Sequence, residues 1–593
     1  MQKTIIQKLS RRIKMSKWFA MAMLLSFSQA NAQVEKEKNV KAFEFLSNAD
    51  SKKGGKALEF KKGAVVSAHP EATAVGVEIL KKGGNAVDAT IAVKFALAVV
   101  YPNAGNIGGG GFLIYRSAKG EINSMDFREK APALASKDMY LDANGDPISE
   151  KSKEGHLAAG VPGTVAGMVA LHKKYGKLKW AELVEPAYQL ATNGFKITRQ
   201  QANELNRLQS KFKQFNPLGT VFIKNEGEWA AGDLLVQNEL ANTLRLIRDK
   251  GRAGFYEGEV ANYIVEEMKR GGGLISKEDL KNYQAAWRTP IVGNYRGYKI
   301  ITMPPTSSGG IALVQLLQSV EAFPLSKWGH NADSTIQVMV EAERRVYADR
   351  AKHLGDPDFW KVPQKELLQT AYNKGRMANF NWAKATPSSE IQAGEFARKE
   401  SEETTHFSVV DKDGNAVSLT TTINTSYGNY VVVKGAGFLL NNEMDDFSVK
   451  PGTPNYFGLV GYEANAIAPN KRMLSSMTPT ILEKDGKLSM VVGTPGGSTI
   501  ITSVFQTIVN VIDFGMNMQE AVNAKKFHHQ WLPDRVDIEP NALTPEVQQK
   551  LEAKGYTFFK RNSIGRVDAI LVTKSGIYQT GADPRGDDTA GGW

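Results

Sequence analysis

From position 64 onward the chain alternates between short apolar runs and stretches with helical periodicity. Ala64-Val65-Val66-Ser67 reads as a strand, and 71–82 as a helix stopped by Gly83-Gly84. Asn85 then precedes an apolar body over 86–100, with Asp88 three residues on, which is a capping-box signature. Asn106-Ile107-Gly108-Gly109-Gly110-Gly111 leads into a hairpin of 112–116, a Lys119-Gly120 turn and 122–127. Between 160 and 400 the pattern is mainly helical. The spans 180–191, 237–250 and 335–354 carry apolar residues at helical spacing, with Gly194, Gly251 and Gly355 just beyond. After 404 strands return. The spans 405–410 and 416–423 flank Asp411-Lys412-Asp413-Gly414-Asn415, and 478–482 and 488–492 flank Lys484-Asp485-Gly486. The pair 567–572 and 577–580 repeats the device, with a helix over 502–514 lying between. Strand pairs with helices on both sides predict a layered α/β sandwich.

The first 62 residues break this pattern. Lys3, Lys8, Arg11, Arg12, Lys14 and Lys17 precede a short apolar run over 18–27, and Ala30-Asn31-Ala32 supplies an A-x-A site. Residues 1–32 therefore read as a signal peptide, with export to the periplasm and Gln33 as the first residue of the exported chain. The apolar run is far shorter than the roughly 20 residues that span a bilayer, so no stable membrane anchor is expected. Residues 33–62 are polar and read as a loosely ordered arm. Losing the six basic residues of the signal lowers the formal charge from +12 to +6, and no dense basic run follows, so nucleic acid is not an expected partner.

The absence of cysteine excludes thiol nucleophiles, iron–sulfur clusters and Cys-based zinc sites. The eight histidines show no H-E-x-x-H spacing, and His528 and His529 are chain neighbours, so neither metal nor cofactor is expected. Glycines 108–111 lead into a strand rather than a helix, which argues against a dinucleotide loop.

Thr404-Thr405-His406 is where chemistry enters. A threonine hydroxyl is a weak nucleophile unless a base adjoins it, and a threonine made N-terminal carries that base as its own α-amine. Cutting the Glu403–Thr404 bond would produce such a residue. Thr422, on the partner strand of the same hairpin, is placed to orient the hydroxyl. By residue type alone Arg128 fits either a carboxylate ligand or an ion pair with Glu129 or Asp126, Asp446 reads as a loop cap, and Pro495-Gly496-Gly497 reads as a turn. His406 reads as structural.

These positions sit within motifs that resemble the γ-glutamyltransferase family of N-terminal-nucleophile hydrolases. The motifs are Thr404-Thr405-His406, Thr422-Ile423-Asn424, Asn441-Asn442-Glu443-Met444-Asp445-Asp446-Phe447, Pro469-Asn470-Lys471-Arg472, Leu474-Ser475-Ser476-Met477-Thr478-Pro479 and Gly493-Thr494-Pro495-Gly496-Gly497-Ser498. Phe527-His528-His529-Gln530-Trp531-Leu532-Pro533-Asp534 continues the likeness. Upstream it takes in 105–111, Asp126-Phe127-Arg128-Glu129 and Gly160-Val161-Pro162-Gly163-Thr164.

The resemblance implies a four-layer αββα sandwich built from two interleaved chains of one precursor, 63–403 as large subunit and 404–593 as small subunit. It implies self-cleavage at 403/404, Thr404 as nucleophile and Thr422 as its orienting partner. Gly496 and Gly497 would form the oxyanion hole. Arg128, Ser475 and Ser476 would hold the donor's α-carboxylate, and Asn424, Glu443 and Asp446 its α-ammonium. Some relatives carry glutamine at the position of Glu443, and a carboxylate there still suits a cation. The segment 450–462 corresponds to a lid loop; Phe457 stands where some relatives have tyrosine, with Tyr456 adjacent. The implied substrates are glutathione and other γ-glutamyl compounds, with water, amino acids or peptides as acceptors. Two other readings stand beside this one: a β-lactam (glutaryl) acylase of the same superfamily, and a non-catalytic amino-acid-binding protein.

Overall fold

The computed structural model describes residues 55–394, 405–450, 452–453, 455–456 and 463–593, all within one unit, Asn48–Trp593. The expected signal peptide, most of the arm, Glu403, Thr404 and Phe457 lie outside the described residues.

Two seven-stranded sheets face one another. One runs, in spatial order, Thr589–Gly592, Ala64–Ser67, Thr405–Val410, Ala416–Thr422, Gly110–Arg116, Ile122–Asp126 and Ala286–Arg288. The other runs Leu58–Phe60, Tyr578–Gly581, Asp568–Val572, Lys487–Gly493, Thr480–Lys484, Tyr298–Thr302 and Ile291–Tyr295. Both sheets combine strands from before and after position 404. Val66, Phe112, Ile114, Ile301, Ile481, Val491 and Ile570 fill the space between them. Each such side chain contributes about 1.5–3 kcal/mol by leaving water.

Helices cover both outer faces, which completes the αββα order. Ala86–Val100 is buried over its whole length, as expected of a helix apolar all round and covered on every side. Asn85 and Asp88 form the capping box, and the Asp411 carboxylate accepts from the Ala86 N–H at 2.9 Å. That contact fastens the turn after Thr405–Val410 to the positive end of the helix. On the opposite face Gly309–Val320 and Thr499–Ile512 pack on the second sheet.

Most expected elements are present within a residue or two at each end. Several strands went unforeseen, and four of them show why. Leu58–Phe60 falls in the expected loose arm but pairs with Tyr578, Gln579 and Thr580. As a sheet edge it is held by backbone bonds, so it needs no side-chain periodicity. Thr589–Gly592 has too few large residues to show alternation, yet it pairs with Ala64–Ser67. The hairpin Ile291–Tyr295/Tyr298–Thr302 interrupts the helical middle. Its burial alternates along Ile291–Tyr295, and Arg296 and Gly297 have φ of 48° and 78°, the geometry of a tight hairpin turn.

The glycine run serves close packing. A methyl group on Gly109 would sit far inside contact distance of the Thr422 carbonyl, and one on Gly110 would meet the Phe127 carbonyl and the Glu129 carboxylate. We expect Gly109→Ala to cost about 1–3 kcal/mol or more through overpacking. Gly375→Ala, in a helix with nothing within 4 Å, should be neutral or stabilising. Equal melting temperatures for the two variants would contradict this account.

Candidate active site

The central hairpin sets the site. Thr405–Val410 and Ala416–Thr422 are antiparallel, with Thr405 opposite Thr421 and His406 opposite Thr420. Strand alternation turns His406, Ser408, Ser418 and Thr420 toward the other sheet. There hydroxyls replace apolar contacts. Ser408 Oγ donates to the Asp568 carbonyl at 3.0 Å, and Ser418 Oγ donates to the Val492 carbonyl at 3.1 Å. Both His406 ring nitrogens are engaged, with Thr420 at 2.9 Å and Ser408 at 3.1 Å, and burial pushes its pKa down to about 3. His406 is thus a neutral structural residue, as expected. Its ring lies against Gly493, three positions before Gly496.

Gly496 and Gly497 have φ of 137° and 62°, and Gly497 falls in the left-handed region that favours glycine. They precede the helix Thr499–Ile512, and their carbonyls accept from Thr499 and Ile500 N–H. Among the described residues no acceptor engages the N–H of either glycine. Two unengaged N–H groups at a helix N-terminus suit a developing negative charge.

Thr422 ends its strand opposite Gly110, and its Oγ accepts from the Asn424 N–H at 2.6 Å. The same hydroxyl is near enough to Glu443 to favour its ionised form slightly. Asn424 has a φ of 70°; its amide donates to the Asn442 carbonyl at 2.9 Å, while among the described residues its buried Oδ1 accepts no hydrogen bond.

Arg128 lies fully buried among carboxylates. Its guanidinium is 2.7 Å from Glu443 and 3.5 Å from Glu129, and it bonds Asp446 directly. Burial works against its charge, but Glu443, Asp446 and Glu129 outweigh that and hold it protonated. Burial pushes Glu443 well above the usual carboxylate range and Glu129 up to about 7, in both cases against the pull of Arg128. Arg128 therefore makes an ion pair with Glu129, one of the two pairings its residue type allowed. The Asp126 carboxylate accepts from the Arg128 N–H at 3.0 Å and pairs with Arg288 and Arg472, which fixes the backbone of this segment. Asp446 is no mere loop cap: it faces the guanidinium from the short helix Glu443–Asp446.

The segment through Ser475 and Ser476 passes the same guanidinium, whose Nε donates to the Met473 carbonyl at 3.2 Å. Ser475 Oγ accepts from Met477 N–H at 3.2 Å, so its own proton is not used in that bond. Ser476 Oγ accepts from Arg350. Arg350 and Ser308 are functional candidates that sequence reasoning missed; Arg350 Nε donates to Ser308 Oγ at 3.0 Å. The available signal was the helix Asp333–His353, in which charged residues recur all round and are nonetheless buried. Glu129, named from residue type as an ion-pair partner of Arg128, joins Glu443 and Asp446 as a third carboxylate on it.

A cavity of about 510 Å³ opens beside these elements, with Gly496, Ser498, His528 and Tyr456 in its wall. Arg128, Glu443 and Asp446 are fully buried and are not among its lining residues. His528 and His529 are engaged by Thr502 and Gln530 and by Asp534 and the Trp531 N–H. Among the described residues no group of three or more metal-ligating side chains converges.

The family model described as gamma-glutamyltranspeptidase matches residues 72–593. The chain is 50% identical over 535 residues to a glutathione hydrolase proenzyme of Escherichia coli strain K12, covering 90% of this chain and 92% of that protein. It is similar to the crystal structure of Helicobacter pylori gamma-glutamyltranspeptidase, with a TM-score of 0.55 and 48% identity over 55% of this chain and 94% of that one. A cephalosporin acylase structure from Bacillus halodurans superposes with a TM-score of 0.80 at 26% identity, over 91% and 97% of the two chains.

Proposed function

The chain belongs to the γ-glutamyltranspeptidase family, and from that premise we propose how its residues share the reaction. It is a γ-glutamyltransferase and glutathione hydrolase made as a self-processing precursor, acting on glutathione and other γ-glutamyl compounds. Membership sets aside the reading as a non-catalytic binding protein. The division of labour below, the cut at 403/404, the two subunits as 63–403 and 404–593, and export to the periplasm are our proposals. Among the described residues no helix is long and apolar enough to cross a membrane.

In the precursor, the Thr404 hydroxyl attacks the Glu403 carbonyl carbon. The peptide C–N bond breaks, an ester forms, and water opens it to a Glu403 carboxylate and a free Thr404 amine. Thr405 pairs with Thr421, and Thr422 is the last residue of that strand. In the mature enzyme the same hydroxyl attacks the γ-carbonyl carbon of the donor while the α-amine, with a reference pKa of about 7.7–8.0, takes its proton. The N–H groups of Gly496 and Gly497 stabilise the oxyanion. Collapse expels the leaving amine, which receives that proton, and water or an acceptor amine then resolves the ester.

The observation that carries the donor assignment is the buried Arg128 flanked by Glu443 and Asp446 beside Thr422. A γ-glutamyl head carries one carboxylate and one ammonium. Its carboxylate would face Arg128 and the Ser475 and Ser476 hydroxyls. Its ammonium would face Glu443, Asp446 and the open Oδ1 of Asn424. A glutaryl group would add a further carboxylate to Arg128 without bringing the cation that balances it beside Glu443 and Asp446. The test is wild-type turnover of γ-glutamyl-p-nitroanilide against glutaryl-p-nitroanilide. We expect preference for the first by at least two orders of magnitude; equal turnover, or preference for glutaryl, would overturn the assignment.

A further inference from the structure

We propose that Arg535 and Arg561 form a subsite for the free carboxylate of the leaving dipeptide and of peptide acceptors. This rests on the reading above that glutathione is a donor.

The cavity beside Gly496 has two unlike walls. One is Gly496 and Ser498, at the N-terminus of Thr499–Ile512. The other is a small three-stranded sheet that the αββα layers do not require: Phe527–His528, Val536–Ile538 and Phe558–Lys560. The last two strands run parallel, with Asp537 opposite Phe559. This register places Arg535, just before one strand, and Arg561, just after the other, around a single carboxylate. Asp537 lies 2.9 Å from Arg535 Nε and 3.2 Å from Arg561 NH1. Phe559 stacks under the Arg535 guanidinium at 4.0 Å.

The charge balance identifies the ligand. Two guanidiniums share one carboxylate, so the trio keeps a net positive charge facing the cavity. Asp537 is the only carboxylate that pairs with either of them among the described residues. Asp537 is about 10% exposed and holds both arginines in place, while each arginine stays about 39% exposed. Fixed guanidinium forks recognise a carboxylate through paired N–H donors, and the aromatic face beneath Arg535 keeps one fork flat.

The distance is suitable as well. When the γ-glutamyl carbonyl sits at the oxyanion glycines, the rest of glutathione is a dipeptide ending in a carboxylate. Two extended residues span about 7 Å, and Gly496, Arg535 and Arg561 line one and the same cavity of about 510 Å³. A dipeptide amine resolving the acyl-enzyme would retrace this path, with its carboxylate on the same arginines.

The test compares substrates with and without that carboxylate, as ratios of kcat/KM within each variant. Glutathione is set against γ-glutamyl-p-nitroanilide as donor, and glycylglycine against glycylglycinamide as acceptor. Arg561→Ala and Arg535→Ala should each lower both ratios about tenfold or more, mainly through KM. Arg561→Lys should recover part of the loss. Asp537→Asn removes the shared negative charge and should raise both ratios, a change that a poorly folded variant cannot imitate. Ratios unchanged in all four variants would overturn the subsite. A wild type inert toward both donors would instead overturn the functional reading on which the subsite rests.

Discussion

Thr404→Ala abolishes chain cleavage and γ-glutamyl transfer together. This is the largest effect we expect, because one hydroxyl is assigned both bond-breaking steps. Without it the 403/404 peptide has no internal attacker, and the donor carbonyl has nothing to form an ester with. Loss of a hydrolase nucleophile costs at least roughly 10⁴-fold in turnover. Thr404→Ser keeps a hydroxyl and should process and turn over, though more slowly. Denaturing gels and γ-glutamyl-p-nitroanilide release read both effects. A Thr404→Ala protein that still splits into two chains refutes the processing half of the assignment.

Arg128→Met has the second largest expected effect, on activity and stability at once. The guanidinium compensates Glu443, Asp446 and Glu129, all fully buried. Removing one partner from a buried ion pair costs about 3–5 kcal/mol. Loss of the carboxylate clamp should lower kcat/KM by roughly 10³-fold, the equivalent of about 4 kcal/mol.

The deficit should also depend on pH. Burial already raises Glu443 well above its ordinary value and Glu129 to about 7 with Arg128 present. A carboxyl whose folded pKa is raised contributes stability below its unfolded value near 4.5 and loses it as pH climbs through the folded pKa. Removing Arg128 raises these pKa values further. The melting-temperature gap between variant and wild type should therefore widen from pH 5 to pH 8. Arg128→Lys should narrow that gap while recovering little activity, because an ammonium keeps the charge but not the fork. A gap that is constant or narrows with rising pH would show that the carboxylates do not depend on Arg128.

The layered fold was largely legible because its core elements follow simple periods. The helix Ala86–Val100 announces itself by its capping box and apolar body. The hairpin that ends at Thr422 is marked by alternation around an Asp-Gly turn. Leu58–Phe60 and Thr589–Gly592 were not legible, because edge pairing depends on backbone groups common to every sequence. The hairpin at 291–302 could have been read from its Arg296-Gly297 turn.

The site divides in the same way. Arg128, Glu443, Asp446 and the two glycines come from motifs, and the structure brings the three charged residues into one buried cluster. That Arg128 holds the acids themselves, with Glu129 as a third, is a fact of three-dimensional packing. The same holds for Arg350 reaching Ser308 and Ser476 from a distant helix. The all-round charge of that helix is visible in the sequence, but which distant partner each residue reaches is not.

The central claim is that position 404 becomes a chain terminus and then the acyl-bearing residue. Mass spectrometry of the purified wild type under denaturing conditions tests it most directly, before and after brief exposure to a γ-glutamyl donor. The account predicts a fragment running from Thr404 to Trp593, and after exposure a γ-glutamyl ester on its first residue. An undivided chain that nonetheless turns over the donor, or a fragment beginning elsewhere, would contradict it.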